Sequence, residues 1–118
     1  MLPIGELEGR EYVTAHGLNP FALWRESLDA SVRARIYQAM GRFTDGNFGD
    51  CKGVGEGVLE TRLNTGPGYR IYYGLDGALV ILLAGRTKRG QDRDIARAVE
   101  RWRDYKERKL RAEIERCH

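Results

Sequence analysis

At Asn47 the spacing of apolar residues along this chain changes, from the helical interval to strict alternation, and that switch limits the possible folds more than any other feature. Before it, Phe21, Trp24 and Leu28, then Val32, Ile36, Ala39, Met40 and Phe43, recur as they do on helices with a single apolar stripe. Asn19 followed by Pro20 supplies a start: the Asn side chain can cap free amides, and Pro at the first helical position needs no donor. The pattern predicts a helix from about Pro20 to Leu28, then a second that Asp29 can cap and Gly46 can end in a left-handed conformation. Together they are expected to form a helical hairpin.

Beyond Asn47, Gly49, Gly53, Gly55 and Gly57 are read as a loop leading into extended structure. In residues 58–65, Leu59 and Leu63 alternate with Glu60, Arg62 and Asn64, the signature of a strand with one buried and one wet face. Gly66-Pro67-Gly68 gives a turn, and residues 69–74 a second strand. Pairing Leu63 with Ile71 puts Asn64 opposite Arg70 and Arg62 opposite Tyr72, around a three-residue loop centred on Pro67. Glu60, Arg62, Asn64, Arg70 and Tyr72 then share one face.

Asp76-Gly77 signals a two-residue hairpin turn, and residues 78–84 are apolar at both parities, as in a central strand covered on both sides. A last helix opens with Asp92 and Asp94 in its first turn and docks through Ile95, Ala98, Val99, Trp102 and Tyr105. From about residue 109 the stripe thins to Leu110 and Ile114, so a projecting or frayed basic extension is expected. An extended segment around Glu11 to Ala15 adds a strand beside the central one. The expected fold is α+β, a single domain over residues 1–118. It has a small, mostly antiparallel sheet, an N-terminal helical hairpin and a C-terminal helix, in the order β-α-α-β-β-β-α.

Net charge is +3, but residues 86–118 hold 12 of the 20 Lys and Arg against 7 of the 17 acids, giving +5 there and −2 before it. The basic end can meet nucleic acid or an acidic protein, and charge does not separate the two. The longest apolar run, Ala78 to Ala84, falls far short of the about 20 residues that span a bilayer. The first residues lack the pattern of a secretory signal, so a cytoplasmic location is expected. Cys51 and Cys117 lie too far apart for a metal quartet or a disulfide framework. His16 and His118 sit in no motif, and neither a metal nor a cofactor is expected.

Several separated segments carry a resemblance. Gly46-Asn47-Phe48-Gly49-Asp50-Cys51-Lys52, then residues 54–62, then Gly66-Pro67-Gly68-Tyr69-Arg70-Ile71-Tyr72-Tyr73, Val80-Ile81-Leu82-Leu83, Lys88, Gln91 and Asp94-Ile95 closely resemble the HigB-like addiction-module killer proteins of the RelE/ParE toxin superfamily. The likeness covers roughly residues 12–105. One departure stands out: Gly85-Arg86-Thr87-Lys88 replaces the Gly-Gly-acid-Lys usual after the central strand, removing an acid and adding positive charge. The resemblance implies the toxin of a type II toxin-antitoxin system that inhibits translation as an mRNA interferase, an endoribonuclease cutting mRNA on the ribosome. It also implies a cognate antitoxin, commonly a helix-turn-helix DNA-binding protein. The same scaffold serves ParE-like poisons of DNA gyrase, and a non-catalytic antitoxin-binding module remains a third reading.

Metal-free RNA cleavage by an internal 2′-hydroxyl needs a proton acceptor, cations around the phosphorane and a donor to the leaving oxygen. Arg62 and Arg70 on adjacent strands can form a guanidinium fork for phosphate; alternatively Arg62 is held by Glu60 or Asp50 as a surface pair. Tyr72 can donate a proton or stack on a base, or simply pack its strand. Lys52, Arg86 and Lys88 are candidates for phosphate contacts, and Gln91 either positions the RNA backbone or caps the last helix.

Overall fold

In the computed structural model of this protein, which describes residues 7–87 and 92–117, a five-stranded mixed sheet is packed between helices on both faces. The order along the chain is β1 (Glu8–Glu11), α1 (Pro20–Glu26), α2 (Ala30–Thr44), β2 (Asp50–Gly55), β3 (Val58–Leu63), β4 (Tyr69–Asp76), β5 (Leu79–Thr87) and α3 (Asp92–Arg116). In space the strands lie β1-β5-β4-β3-β2, antiparallel except for the parallel β1–β5 pair. The class is therefore α+β, with three helices among the described residues.

The alternation of side chains across the sheet divides the core in two. Ile71, Tyr73, Val80 and Leu82 face Phe21 of α1 and Ile36, Ala39 and Phe43 of α2. Val58, Tyr72, Ile81 and Leu83 face Ala98, Val99 and Trp102 of α3. β5 is thus apolar at both parities because both its faces are covered.

Local signals act as expected at several ends. Asn19 Oδ1 accepts from the Ala22 amide at 3.0 Å, with Pro20 opening α1. α2 ends with Gly46 at φ 76°, its amide donating to the Phe43 carbonyl while that of Asn47 reaches Arg42. Asp29 occupies the cap position of α2, but its side chain makes no capping hydrogen bond. α1 stops at Glu26, two residues earlier than the apolar spacing suggests, and the N-terminal strand is residues 8–11 rather than 11–15.

Two expectations are corrected. The glycine-rich stretch is not all loop: residues 50–55 form the edge strand β2, turned into β3 through Glu56 and Gly57, both at positive φ (52° and 89°). Its side chains are mostly exposed, so it leaves no hydrophobic alternation to read, and the backbone ladder to β3 defines it. The order is accordingly β-α-α-β-β-β-β-α.

Second, the β3–β4 register differs by two residues: Leu63 pairs with Tyr69, Arg62 with Arg70 and Glu60 with Tyr72, not Leu63 with Ile71, Asn64 with Arg70 or Arg62 with Tyr72. Gly66 and Gly68 at positive φ make the connection longer than three residues, spanning 64–68. Because the shift is even, each side chain keeps its face. α3 runs to Arg116, and its residues from 109 on are exposed. The β4–β5 turn has two residues as expected, but they are Gly77 and Ala78.

Candidate functional site

Hydrogen-bonded strands set cross-strand neighbours about 4.8 Å apart. Arg62 on β3 pairs with Arg70 on β4, and Arg70 pairs with Arg86 on β5, so three guanidiniums rise from one row on the face that α3 partly covers. In the next row Lys52 of β2 pairs with Glu60 of β3, and Glu60 with Tyr72 of β4.

A bulge puts Arg86 in this row. Tyr72 pairs with Ala84 and Tyr73 with Leu82, leaving Leu83 as an extra residue in β5. Unbroken alternation from Val80 and Leu82 would carry Arg86 to the α1/α2 face; the extra residue turns it to the α3 face. Gly85 is turned the other way, beneath the Trp24 ring, whose Cε3 would stand 1.9 Å from a Cβ at that position.

Two of the three arginines converge on one carboxylate. Glu60 is 1% exposed; its Oε1 accepts from Arg62 Nε at 3.3 Å and its Oε2 from Arg70 Nη1 at 3.4 Å. The Arg62 side chain is 41% exposed and that of Arg70 20%, so each keeps part of its guanidinium toward solvent. Arg86 Nε lies 3.4 Å from Asp94 Oδ2 in the first turn of α3. The fork and the surface pair are therefore not alternatives: Glu60 holds both arginines while leaving donors free, since a guanidinium carries five N–H groups.

Tyr72 lies on the same face, cross-strand to Glu60 and covered by α3. It is fully buried, and its hydroxyl has no hydrogen-bond partner among the described residues. Burial first, and then the negative charge of Glu60, push that hydroxyl up to about 12, so it keeps its proton at neutral pH. Lys52 is exposed at the sheet edge, on a strand and not in a loop. Lys88 and Gln91 lie outside the described residues. His16 is exposed in a turn remote in sequence from this face.

Two clefts open at the end of β3. One, about 430 Å³, is lined by Arg62, Asn64, Pro67, Tyr69 and Arg70; the other, about 230 Å³, by Arg35, Gln38 and Arg42 of α2 with Phe48, Asp50 and Thr65. Arg62, Leu63 and Asn64 border both. Sequence reasoning missed the α2 arginines and the bridging role of Glu60. The first had a signal, because residues 30–44 contain Arg33, Arg35 and Arg42 and no acid. No helix among the described residues is long and apolar enough to cross a membrane.

No family model matches the chain. Over 80 residues, 66% of this chain and 81% of the other, it is 42% identical to an uncharacterized protein of Haemophilus influenzae. Likeness of that depth over most of the partner's length makes this chain a member of the same family as the Haemophilus influenzae protein.

Proposed function

We propose that this protein is the toxin of a type II toxin-antitoxin system, a HigB-like member of the RelE/ParE superfamily that cleaves mRNA on the ribosome without a metal. In this reading α1 and α2 are the helical hairpin, and the sheet and α3 the body, of a RelE-like topology. The single observation that supports it best is the cross-strand row Arg62–Arg70–Arg86, three guanidiniums on one partly open face with a buried carboxylate holding two of them.

Such a row suits a transition state in which the 2′-hydroxyl, giving up its proton, bonds to the adjacent phosphorus while the P–O5′ bond breaks and the leaving 5′ oxygen takes up a proton. Negative charge builds on the phosphorane oxygens on the way to a 2′,3′-cyclic phosphate and a 5′-hydroxyl. Arg62 and Arg70 take those oxygens; Glu60 is a positioning residue that fixes their separation; Arg86 and Lys52 hold flanking phosphates. In this reading Tyr72, enclosed and protonated, packs beside Glu60 and supports the row from within the face. The face offers electrostatics and alignment more than proton transfer, which fits an enzyme that works with ribosomal RNA around it. A cognate antitoxin, acidic where it meets this face, masks it.

The test is induction of the protein alone in cells, with RNA 5′ ends mapped on ribosome-bound and free mRNA. New ends confined to ribosome-bound mRNA, reduced at least about 100-fold in the Arg62→Ala/Arg70→Ala variant, are expected for loss of two donors to the phosphorane. Growth arrest that persists in that variant while DNA breaks accumulate would replace this reading with a gyrase poison. Absence of any growth effect would leave a non-catalytic partner of the antitoxin.

A further inference from the structure

α2 is purely cationic: among its 15 residues there are three arginines and no acid. Arg33 is turned back onto the Leu28 carbonyl at 2.6 Å. Arg35 and Arg42 are not; seven residues apart, they lie on one side of the helix about 10.5 Å from each other along its axis. Both are exposed, both line the cleft of about 230 Å³ beside the end of β3, and neither is ion-paired among the described residues. Among the described residues Asp50 is the only acid lining that cleft against Arg35, Arg42 and Arg62, so this lining is net positive, and Gln38, Asn64 and Thr65 add neutral hydrogen-bonding groups.

The cleft is continuous with the Arg62–Arg70 fork. β2 begins at Asp50 opposite Arg62, so residues 63–65 have no ladder partner on that side. Arg62 borders the cleft on either side of this open end. A flexible chain lying on the fork can therefore pass around the end of β3 and meet α2 without displacing a strand.

We infer that Arg35 and Arg42 form a second phosphate site, which holds the backbone of the same single-stranded RNA that lies on the Arg62–Arg70 fork. This rests on the reading that the fork binds RNA, and it adds where the strand goes next. A folded duplex does not fit a path bent round a strand end, whereas a single strand does. Phe48 in the cleft wall offers an apolar surface to a sugar or base edge.

The test is fluorescence anisotropy on the full chain with uncleavable 2′-O-methyl RNA of three and eight nucleotides at several salt concentrations. The eight-mer is expected to bind at least about tenfold more tightly than the three-mer. Arg35→Gln/Arg42→Gln should erase that gain, leave the three-mer unchanged and reduce the salt slope for the eight-mer by about 1.4, the value for two phosphate contacts to a single strand. Arg35→Lys/Arg42→Lys, which keeps the charge, should retain most of the slope. Arg62→Gln/Arg70→Gln should weaken both lengths.

An eight-mer affinity and salt slope untouched by Arg35→Gln/Arg42→Gln overturn the second site. Length-dependent binding that needs Arg35 and Arg42 but ignores Arg62 and Arg70 supports the second site and removes the fork from the functional reading. A polyglutamate peptide that competes with the eight-mer at equal affinity, and loses it in Arg35→Gln/Arg42→Gln, makes the cleft an acidic-protein dock and overturns the RNA assignment.

Discussion

Glu60 concentrates the energetics of the proposed site in one side chain. A carboxylate taken out of water is costly to bury, and two guanidiniums offset that cost here at 3.3 and 3.4 Å. Because Arg62 and Arg70 keep some exposure, the coupling is smaller than for a fully buried triad. Glu60→Gln is expected to destabilise the fold by about 1–2 kcal/mol, seen as a lower urea midpoint at unchanged slope. Arg70→Gln in the same chain should recover part of that loss, because the repulsion left between unpaired cations is relieved; strict additivity of the two changes would show that the three groups are not coupled.

Among the elements, α3 is the one whose hold on the sheet depends on charge as well as packing. Ala98, Val99 and Trp102 anchor its middle in the core. Toward its C-terminal half the attachment becomes polar: Tyr105 Oη donates to Asp76 Oδ2 at 2.6 Å and Lys109 Nζ to Asp76 Oδ1 at 2.7 Å. Tyr12 Oη donates to Asp104 at 2.6 Å. The hydrogen bond from Lys109, and next that from Tyr105, hold the Asp76 carboxyl below its usual range. A carboxyl depressed by folding contributes stability above its unfolded value of about 3.9 and loses that contribution as pH falls through the folded value. Hydrogen-exchange protection around Tyr105 should therefore be lower in Asp76→Asn than in the parent at pH 7. That difference should begin to narrow as pH drops below about 4; a difference that stays constant across the whole acid range would mean that Asp76 acts through packing and not through charge.

Over the whole molecule, positive charge gathers on one side of the sheet and wraps its β3 end. Arg62, Arg70 and Arg86 form a row, with Lys52 near it and Arg35 and Arg42 round the strand end. A partner that neutralises this surface gives up affinity to salt, since screening grows as the Debye length falls from about 10 Å at 0.1 M to about 3 Å at 1 M. Any antitoxin of this protein should accordingly lose at least about tenfold in affinity between 0.05 and 0.5 M salt, chiefly through slower association. Salt-independent association measured by stopped-flow mixing would place the antitoxin on apolar surface instead.

The sequence by itself determined the class of each major helix and strand, because the interval between apolar residues reports helix or strand locally, and it put Arg62, Arg70 and Glu60 on one face, because parity survives an even shift of register. It could not determine β2, whose glycine-rich, exposed residues carry no hydrophobic pattern and are held by hydrogen bonds to β3. Nor could it determine the pairing of Arg62 with Arg70, which depends on how many residues the Gly66–Gly68 turn consumes. The place of Arg86 was decided entirely in three dimensions: one extra residue at Leu83 reverses the parity of β5 and brings a third guanidinium to the row. Local sequence fixes which way a side chain points relative to its neighbours, but only the closed sheet fixes which residues it ends up beside.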